Sequence, residues 1–293
     1  MIFHVKGDFD LHLALMGGQA FRWQPSGDGY RGVIGGLLLE VGRHQDSFRI
    51  EIRNRGDRKE LSDEDIRQYL GEYFRVDENP EDTRATLSED QVLAPIVQKL
   101  GVLRILRQDP WECIVSYICS IDSNIPKIRT NIASICRVFG EKIPAGSGAT
   151  ENAFPPMQVI ADSSEEELRS LGLGFRAPYV LKTAQGLVRG KFHFSEMKRQ
   201  NIERTRADLQ SLPGVGPKVA DCVLLYSLDR LDAFPIDRWV RRAVSTLYFQ
   251  GENVADKEIR AWALARFGSL SGYAQQYLFE WGRLERIREA PPK

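Results

Sequence analysis

Three side chains in the C-terminal part of the chain have the types and spacing for chemistry at a carbon centre. Lys218 and Cys222 stand four residues apart directly after a glycine-containing turn, and Asp237 follows in the segment 234–237, Phe-Pro-Ile-Asp. A lysine near a helix N-terminus, partly shielded from water, has its ammonium form disfavoured, which leaves the neutral amine that attacks carbon. Asp237 precedes a second helix-like run, which a carboxylate is suited to cap. The sequence therefore predicts a nucleophile and a carboxylate near one turn.

The elements that must position these groups are two helices joined by a tight hairpin, within residues 205–229. Gly214 and Gly216 adopt backbone conformations that other residues resist, and Pro217 suits the first turn of the second helix. The amides that open this helix carry partial positive charge, so Gly214, Val215 and Gly216 are predicted to contact a DNA phosphate. Taken alone, the hairpin also fits a non-catalytic DNA-binding module in which Lys218 pairs with a phosphate.

The residues 212–222, LPGVGPKVADC, followed by FPID, resemble the signature of the helix-hairpin-helix DNA glycosylases, in particular the 8-oxoguanine DNA glycosylase family. Four more segments resemble family segments in the family's order: 17–23 (GGQAFRW), 106–113 (LRQDPWEC), 171–177 (LGLGFRA) and 274–279 (AQQYLF). The likeness runs from about residue 5 to about residue 282. Trp239 stands where eukaryotic members have histidine, so the chain resembles bacterial members more closely.

The resemblance implies a bifunctional glycosylase and abasic-site lyase. Lys218 would attack the sugar C1′ and form a Schiff base, after which loss of a C2′ proton expels the 3′ phosphate by β-elimination. Asp237 would stabilise positive charge on the sugar and assist deprotonation of Lys218. As in relatives, the carbonyls of Gln210, Leu212 and Val215 would hold a monovalent cation. No catalytic metal and no cofactor are expected.

The resemblance also implies a pocket for an extruded oxidised guanine. The Gly18 carbonyl would accept a hydrogen bond from N7–H of the lesion, whereas normal guanine has a bare acceptor at N7. Gln275 would read the Watson–Crick edge, and the base would lie between Cys222 and Phe279. Pro235 is assigned to the same pocket.

A second group of residues would contact the opposite base and the DNA. Asp122 and Asn124 lie in a polar segment that fills the hole left by the base, Phe175 matches an aromatic wedge, and Arg176 matches an arginine that reads cytosine. Eukaryotic members have three asparagines at positions 122–124, and an arginine in place of Lys127. Lysine cannot make the two-pronged contact of arginine, so strict preference for cytosine is in question.

The pattern of the whole chain predicts an α+β, mostly helical protein with a β-rich N-terminal domain (1–75) and a helical body (76–293). Predicted strands lie at 10–15, 29–34, 37–41 and 47–53. Predicted helices lie at 61–73, 91–100, 110–120, 125–139, 159–172 (with a cap at Ser163 or Ser164), 219–228, 238–248 and 272–284. Residues 145–153 are predicted to form a surface loop.

Composition sets outer limits on function. The 42% hydrophobic content is typical of a globular protein, and no apolar run is long enough to cross a bilayer, so we expect an intracellular monomer. The four cysteines match no zinc ligand spacing, and none follows Cys222, so we expect reduced thiols and no iron–sulfur cluster. The net charge of zero is unusual for a DNA-binding protein, so a basic face must come from the local clusters at 127–129 and 238–242.

Two rival functions remain at this point. A glycosylase for another damaged base would keep Lys218 and Asp237, but the set Gly18, Cys222, Gln275 and Phe279 favours 8-oxoguanine. A non-catalytic DNA-binding protein would need the hairpin without a base pocket. We therefore expect an enzyme of base excision repair whose partner is double-stranded DNA containing oxidised guanine.

Overall fold

The computed structural model describes residues 1–6, 9–45, 47–56, 58–190 and 192–285. Its N-terminal part forms an antiparallel sheet of five strands in the order β1-β5-β4-β3-β2. The strands are β1 (Ile2–Lys6), β2 (Trp23–Ser26), β3 (Gly29–Ile34), β4 (Leu37–His44) and β5 (Ser47–Asn54). Three of the predicted strands are thus confirmed as β3, β4 and β5. The two edge strands, β1 and β2, are not predicted from the sequence; Pro25 in β2 lowers its strand signal and is tolerated at an edge.

The strand predicted at residues 10–15 is wrong, because this run forms a helix, α1 (Leu11–Met16). The Asp10 side chain caps it by accepting a hydrogen bond of 2.9 Å from the Leu13 amide. The run is rich in leucine and alanine, which favour helices, and it contains no β-branched residue. A short apolar run of this kind does not distinguish strand from helix by its periodicity.

Helices make up most of the remaining chain and confirm the mostly helical α+β class. They are α2 (Asp63–Tyr73), α3 (Pro80–Leu87), α4 (Ala94–Leu100), α5 (Pro110–Cys119), α6 (Ile125–Phe139), α7 (Met157–Ala161), α8 (Glu165–Leu168), α9 (Ala177–Val188), α10 (Phe194–Met197), α11 (Ile202–Gln210), α12 (Pro217–Ser227), α13 (Arg238–Tyr248), α14 (Asp256–Phe267) and α15 (Ser271–Leu284). Within the described ranges, no helix has the length and apolar character needed to span a membrane.

Two predictions for the middle of the chain are corrected by the structure. The surface loop predicted at 145–153 is largely a hairpin of β6 (Lys142–Gly146) and β7 (Ala149–Asn152). Its turn places Ser147 and Gly148 at φ 50° and 77°, which matches the twist of a two-residue hairpin. The helix predicted at 159–172 is divided into α7, α8 and a π-helical turn (Arg169–Leu173), and Ser164 caps α8 through the Glu167 amide.

Among the described residues, two large apolar cores lie beneath these elements, and a small third cluster is formed by Val33, Leu38 and Ile143. One packs the sheet against α1 and α2, with Trp23 and Leu106 among its members, and the larger one fills the helical body. Buried polar side chains connect them: the Gln19 amide donates to the Arg104 carbonyl at 2.8 Å, and Gln108 donates to the Gln19 carbonyl at 2.9 Å. The domain boundary at residue 75 stays a prediction, and residues 286–293 of the predicted body lie outside the described part.

A buried ion pair joins the two helices of the hairpin. Arg206 on α11 donates from Nε to Asp221 on α12 at 2.6 Å, and Arg260 on α14 reaches the second carboxylate oxygen at 3.3 Å. Asp221 is fully buried and its pairing fixes α11 against α12. The hairpin conformation between the two helices therefore depends partly on this pair.

We expect Asp221→Asn to lower the free energy of unfolding by about 3 kcal/mol, because it removes the buried carboxylate partner of Arg206 and leaves only an exposed one. Chemical denaturation measures the change. Glu203→Gln is the matched control: Glu203 pairs with the same arginine, but its side chain is 75% exposed. An exposed pair contributes less than about 1 kcal/mol, so equal losses in the two variants would contradict the assignment.

Candidate active site

A cavity of about 1310 Å³ opens between the loop before β2, the α5–α6 loop, the hairpin and α15. Its lining includes both predicted catalytic residues, Lys218 and Asp237. It also brings together most of the other predicted site residues: Gly18, Asp122, Asn124, Phe175, Gly214, Val215, Gly216, Cys222, Pro235, Gln275 and Phe279. Two predicted residues, Lys127 and Arg176, are not part of the lining.

The Lys218 amine has two partners on α5 and at its end. Nζ donates to the Ser120 hydroxyl at 3.0 Å and lies 4.8 Å from the centre of the Tyr117 ring. Ser120 in turn donates to the Tyr117 carbonyl at 2.6 Å, which fixes its own orientation. The amine is thus held in the cavity by the Ser120 hydroxyl and the face of the Tyr117 ring.

Asp237 has the capping role that the sequence predicts. Its Oδ1 accepts hydrogen bonds from the amides of Trp239 and Val240, both at 2.9 Å, at the start of α13. These bonds fix the carboxylate at the cavity wall. The guanidinium carbons of Arg238 and Arg242 lie 5.1 and 5.6 Å from the centre of the Trp239 ring, so positive charge lies next to the Asp237 cap.

The Cys222 thiol is a neutral packing surface on the cavity wall. Burial raises the pKa of Cys222 to about 12, although nearby Lys218 opposes the shift. The thiol therefore stays protonated near neutral pH and is poorly suited to act as a nucleophile. Of the two neighbouring groups predicted from the sequence, the Lys218 amine is therefore better suited to nucleophilic attack than the Cys222 thiol.

Gln275 supplies the strongest sign of a ligand. Its side chain is 4% exposed and borders the cavity. Its Oε1 is buried and has no hydrogen-bond partner among the described residues. Leaving a buried acceptor unsatisfied costs free energy, so this carbonyl is placed to receive a donor from a bound molecule.

Gly18 and Phe279 lie next to each other on the same side of the cavity. Gly18 has a φ of 85°, and a Cβ there would stand 3.3 Å from the Phe279 ring and 3.1 Å from Ile125. Only glycine combines this backbone conformation with so close an approach. The backbone at Gly18 therefore forms part of the cavity wall, next to the flat ring of Phe279.

Arg176 supports the loop after α5 instead of projecting into the cavity. Its guanidinium donates to the Ile121 carbonyl, at 2.8 Å from Nε, and to the Asp122 carbonyl at 2.7 Å. The same group lies 4.4 Å from the ring of Phe175, which is 47% exposed at the cavity rim. Lys127 is exposed, and its amine lies against Gly172, 3.2 Å from the position that a Cβ would take there.

Several lining residues were not singled out as site residues from the sequence, including Tyr117, Ser120, Tyr179, Arg129 and Arg283. Tyr117 and Ser120 are three residues apart at the end of α5, so their shared face is visible in the sequence. Their contact with Lys218, which follows Ser120 by 98 residues, is not. Tyr179 packs on Gly214, where a Cβ would stand 2.7 Å from the tyrosine Cβ.

A cation at this site would be bound by backbone carbonyls of the hairpin or by acidic side chains. The Leu212 carbonyl accepts from the Val215 amide at 3.1 Å, which closes the turn and leaves its second lone pair. The monovalent cation at Gln210, Leu212 and Val215 stays a prediction. Across the described ranges, His, Cys, Asp and Glu side chains form no cluster of three suited to a metal ion.

Glu280 lies behind the cavity wall, one residue after Phe279. It is fully buried, packs against Gly17, and has Arg283 at 3.6 Å and the Gln276 amide at 3.4 Å. Burial raises the pKa of Glu280 to about 7, and Arg283 only partly opposes this. The carboxyl group therefore titrates near neutral pH.

Comparison with known proteins agrees with this geometry. Residues 1–114 match the 8-oxoguanine DNA glycosylase N-terminal domain, and residues 200–226 match the helix-hairpin-helix motif. The structure of MBOgg1 in complex with a low-affinity DNA ligand is 33% identical, with a TM-score of 0.90 over 97% of this chain and 96% of that chain. The chain belongs to the 8-oxoguanine DNA glycosylase family.

Other members of the family are similar over the same extent. The Clostridium acetobutylicum 8-oxoguanine glycosylase/lyase, in complex with double-stranded DNA containing cytosine opposite 8-oxoguanine, is 32% identical. Its TM-score is 0.88 over 98% of this chain and 99% of that chain. The probable N-glycosylase/DNA lyase of Methanothermobacter thermautotrophicus is 28% identical over 97% of both chains. The family resemblance seen in the sequence is confirmed.

The raised pKa of Glu280 predicts a specific dependence of stability on pH. Between the ordinary value of 4.5 and about 7, the folded protein keeps a proton that the unfolded chain has lost. Wild-type stability is therefore expected to fall as pH rises through this window, by up to about 3 kcal/mol from this group.

Glu280→Gln cannot titrate, so its stability relative to wild type should be higher at pH 8 than at pH 5. Denaturation curves at the two pH values measure this difference, which is independent of any constant effect of the substitution. Glu112 has a pKa raised to about 7 as well, so the slope should decrease without disappearing. An unchanged slope would show that Glu280 is ionised throughout.

Proposed function

We propose that this chain is a bifunctional N-glycosylase/DNA lyase that removes 8-oxoguanine from double-stranded DNA and then cleaves the strand. The observation that carries the proposal is the unpartnered, buried Gln275 carbonyl in the same cavity as the Lys218 amine. An unsatisfied acceptor indicates a polar ligand, and the amine indicates covalent chemistry on it. The full-length similarity to glycosylase/lyases supports both parts.

Lys218 is the nucleophile in this proposal. The neutral amine attacks the sugar C1′, the bond from C1′ to the base breaks, and the base leaves with the bonding electrons. The resulting amine adduct opens to a protonated Schiff base, and removal of a C2′ proton expels the 3′ phosphate. Asp237, fixed by its cap bonds, stabilises positive charge on the sugar while the base departs.

The base is recognised by four groups around it. Gln275 accepts from the donors of its Watson–Crick edge, and the Gly18 carbonyl accepts from N7–H, which unmodified guanine lacks. The ring of Phe279 and the neutral thiol of Cys222 provide the two flat contacts. Pro235 borders the same space. Extrusion of the base is needed because its edges are inaccessible within the stack.

The remaining predicted residues hold the DNA around the extruded base. The hairpin offers the backbone amides of Gly214 and Gly216 to a phosphate, whereas the Val215 amide already donates to the Leu212 carbonyl. Phe175 at the rim inserts into the stack. Asp122 and Asn124 contact the opposite base in this proposal, Asn124 through its side-chain amide group, because its side-chain oxygen already accepts from the Lys127 amide at 3.0 Å as the cap of α6. Arg176 acts first as a support for the Asp122 loop, because its donors already meet the carbonyls of residues 121 and 122.

The central test is reductive trapping with sodium borohydride on a duplex with 8-oxoguanine opposite cytosine. Wild type should form a covalent adduct, and Lys218→Gln should form none, because the glutamine amide is not nucleophilic. Lys182→Gln is a matched control on a lysine outside the cavity lining, and it should trap like wild type. Adduct formation by Lys218→Gln, or its absence in wild type even on an abasic site, would refute the lyase mechanism.

Trapping opposite each of the four bases tests the readout of the partner strand. Arg176 is bound to the loop carbonyls, and Lys127 lies outside the cavity lining. We therefore expect trapping opposite cytosine to exceed trapping opposite the other bases by less than about tenfold. This factor corresponds to the net free energy of one good hydrogen bond. Asp122→Ala should reduce this preference further. A preference well above a hundredfold would show that Arg176 or Lys127 moves onto the base.

The monomeric state and the intracellular location expected from the sequence stay predictions. A glycosylase for a different damaged base remains the alternative function. The same trapping assay separates the two, because such an enzyme would trap on an abasic site but not on intact 8-oxoguanine.

A further inference from the structure

Tyr117 contacts both the nucleophile and the loop that carries Gly18. Its ring lies beneath the Lys218 amine, and its hydroxyl lies 3.1 Å from the Gly18 carbonyl oxygen and 3.2 Å from the Gln19 carbonyl oxygen. The side chain is buried and stacks on Tyr226, with ring centres 5.6 Å apart and planes at 7°. One rigid group thus touches two functional parts of the cavity.

Each of three consecutive carbonyls in this loop has its own buried donor. Gln276 donates to the Gly17 carbonyl at 3.4 Å, and Gln108 donates to the Gln19 carbonyl at 2.9 Å. Because Gln108 satisfies Gln19, the single hydroxyl proton of Tyr117 is available to the Gly18 carbonyl. The loop is therefore held from three sides by side chains of α5, α15 and the segment before α5.

We infer that Tyr117 is a positioning residue that aims the Gly18 carbonyl at an N7–H donor while its ring holds the Lys218 amine. The inference rests on the proposed function and deepens it. A carbonyl oxygen accepts two hydrogen bonds, so the tyrosine proton occupies one lone pair and leaves the other for the base. A fixed direction for this lone pair favours an oxidised purine, whose N7–H donates to it. The N7 of guanine carries a lone pair of its own, which would repel the lone pair of the Gly18 carbonyl.

Tyr117→Phe separates the two contacts, because it removes the hydroxyl and keeps the ring beneath Lys218. We expect single-turnover excision of 8-oxoguanine opposite cytosine to fall about tenfold, the effect of one lost hydrogen bond at a buried acceptor. Borohydride trapping on an abasic site, which needs Lys218 but no base, should stay close to wild type. Tyr277→Phe is the matched control: its buried hydroxyl also contacts a backbone carbonyl, Gly101 at 2.8 Å, outside the cavity.

Binding provides a second readout that does not depend on catalysis. In a Lys218→Gln background, adding Tyr117→Phe should lower the preference for 8-oxoguanine over guanine duplexes, and adding Tyr277→Phe should leave it unchanged. All assays are run at temperatures where circular dichroism shows each variant folded.

Three outcomes would overturn the inference: wild-type excision by Tyr117→Phe, a loss of abasic-site trapping in proportion to the loss of excision, or an unchanged binding preference. Failure of the proposed function itself has a different signature, since wild type would then not excise 8-oxoguanine at all.

Discussion

The contact between Lys218 and the end of α5 is the constraint on which the site depends. The amine belongs to α12, and its partners Ser120 and Tyr117 belong to a different part of the chain, so the contact exists only when α5 and α12 pack side by side. That packing also places Cys222, one turn after Lys218, against the cavity. A shift of α12 by one residue would turn both side chains away together.

The rigidity of this arrangement comes from buried polar contacts as much as from the apolar core. Asp221 fixes α12 to α11, and Asp237 fixes the start of α13 through two amide bonds. The loop at Gly18 is held by donors from Gln276, Tyr117 and Gln108. Since removing one partner of such a bond leaves the other unsatisfied, each contact resists local motion. Among the described residues, Gln275 Oε1 is a buried acceptor at the cavity that has no hydrogen-bond partner.

The charge distribution resolves an apparent conflict in the composition. A chain of zero net charge is a poor candidate for a DNA-binding protein, yet arginines border the cavity at positions 129, 238 and 283. Many acidic residues are paired with arginines elsewhere, as in the group of Arg75, Arg107 and Asp229. The overall charge therefore says little about the field at the cavity, where phosphate contacts would form.

The sequence by itself determined the turns, caps and helices that depend on residues close together in the chain. The hairpin turn at Gly214, the Asp237 cap and the helices from 125 to 139 and from 238 to 248 follow from short-range geometry, and the structure confirms them. The special conformation predicted for Gly216 is wrong, because its φ of −80° and ψ of 179° are extended backbone that any residue adopts. Local signals were insufficient for residues 10–15, because a short leucine-rich run suits both helix and strand, and for the hairpin at 142–152, whose residues have weak strand propensity.

Only the tertiary structure decided which of the candidate residues meet. It placed Arg176 on the loop carbonyls and outside the cavity lining, and it brought Tyr117 to both Lys218 and Gly18. These contacts join residues 55 positions apart for Arg176 and Ile121 and 99 positions apart for Tyr117 and Gly18, and their existence depends on the packing of whole helices. No local pattern encodes such packing, because many helix arrangements bury the same apolar faces equally well.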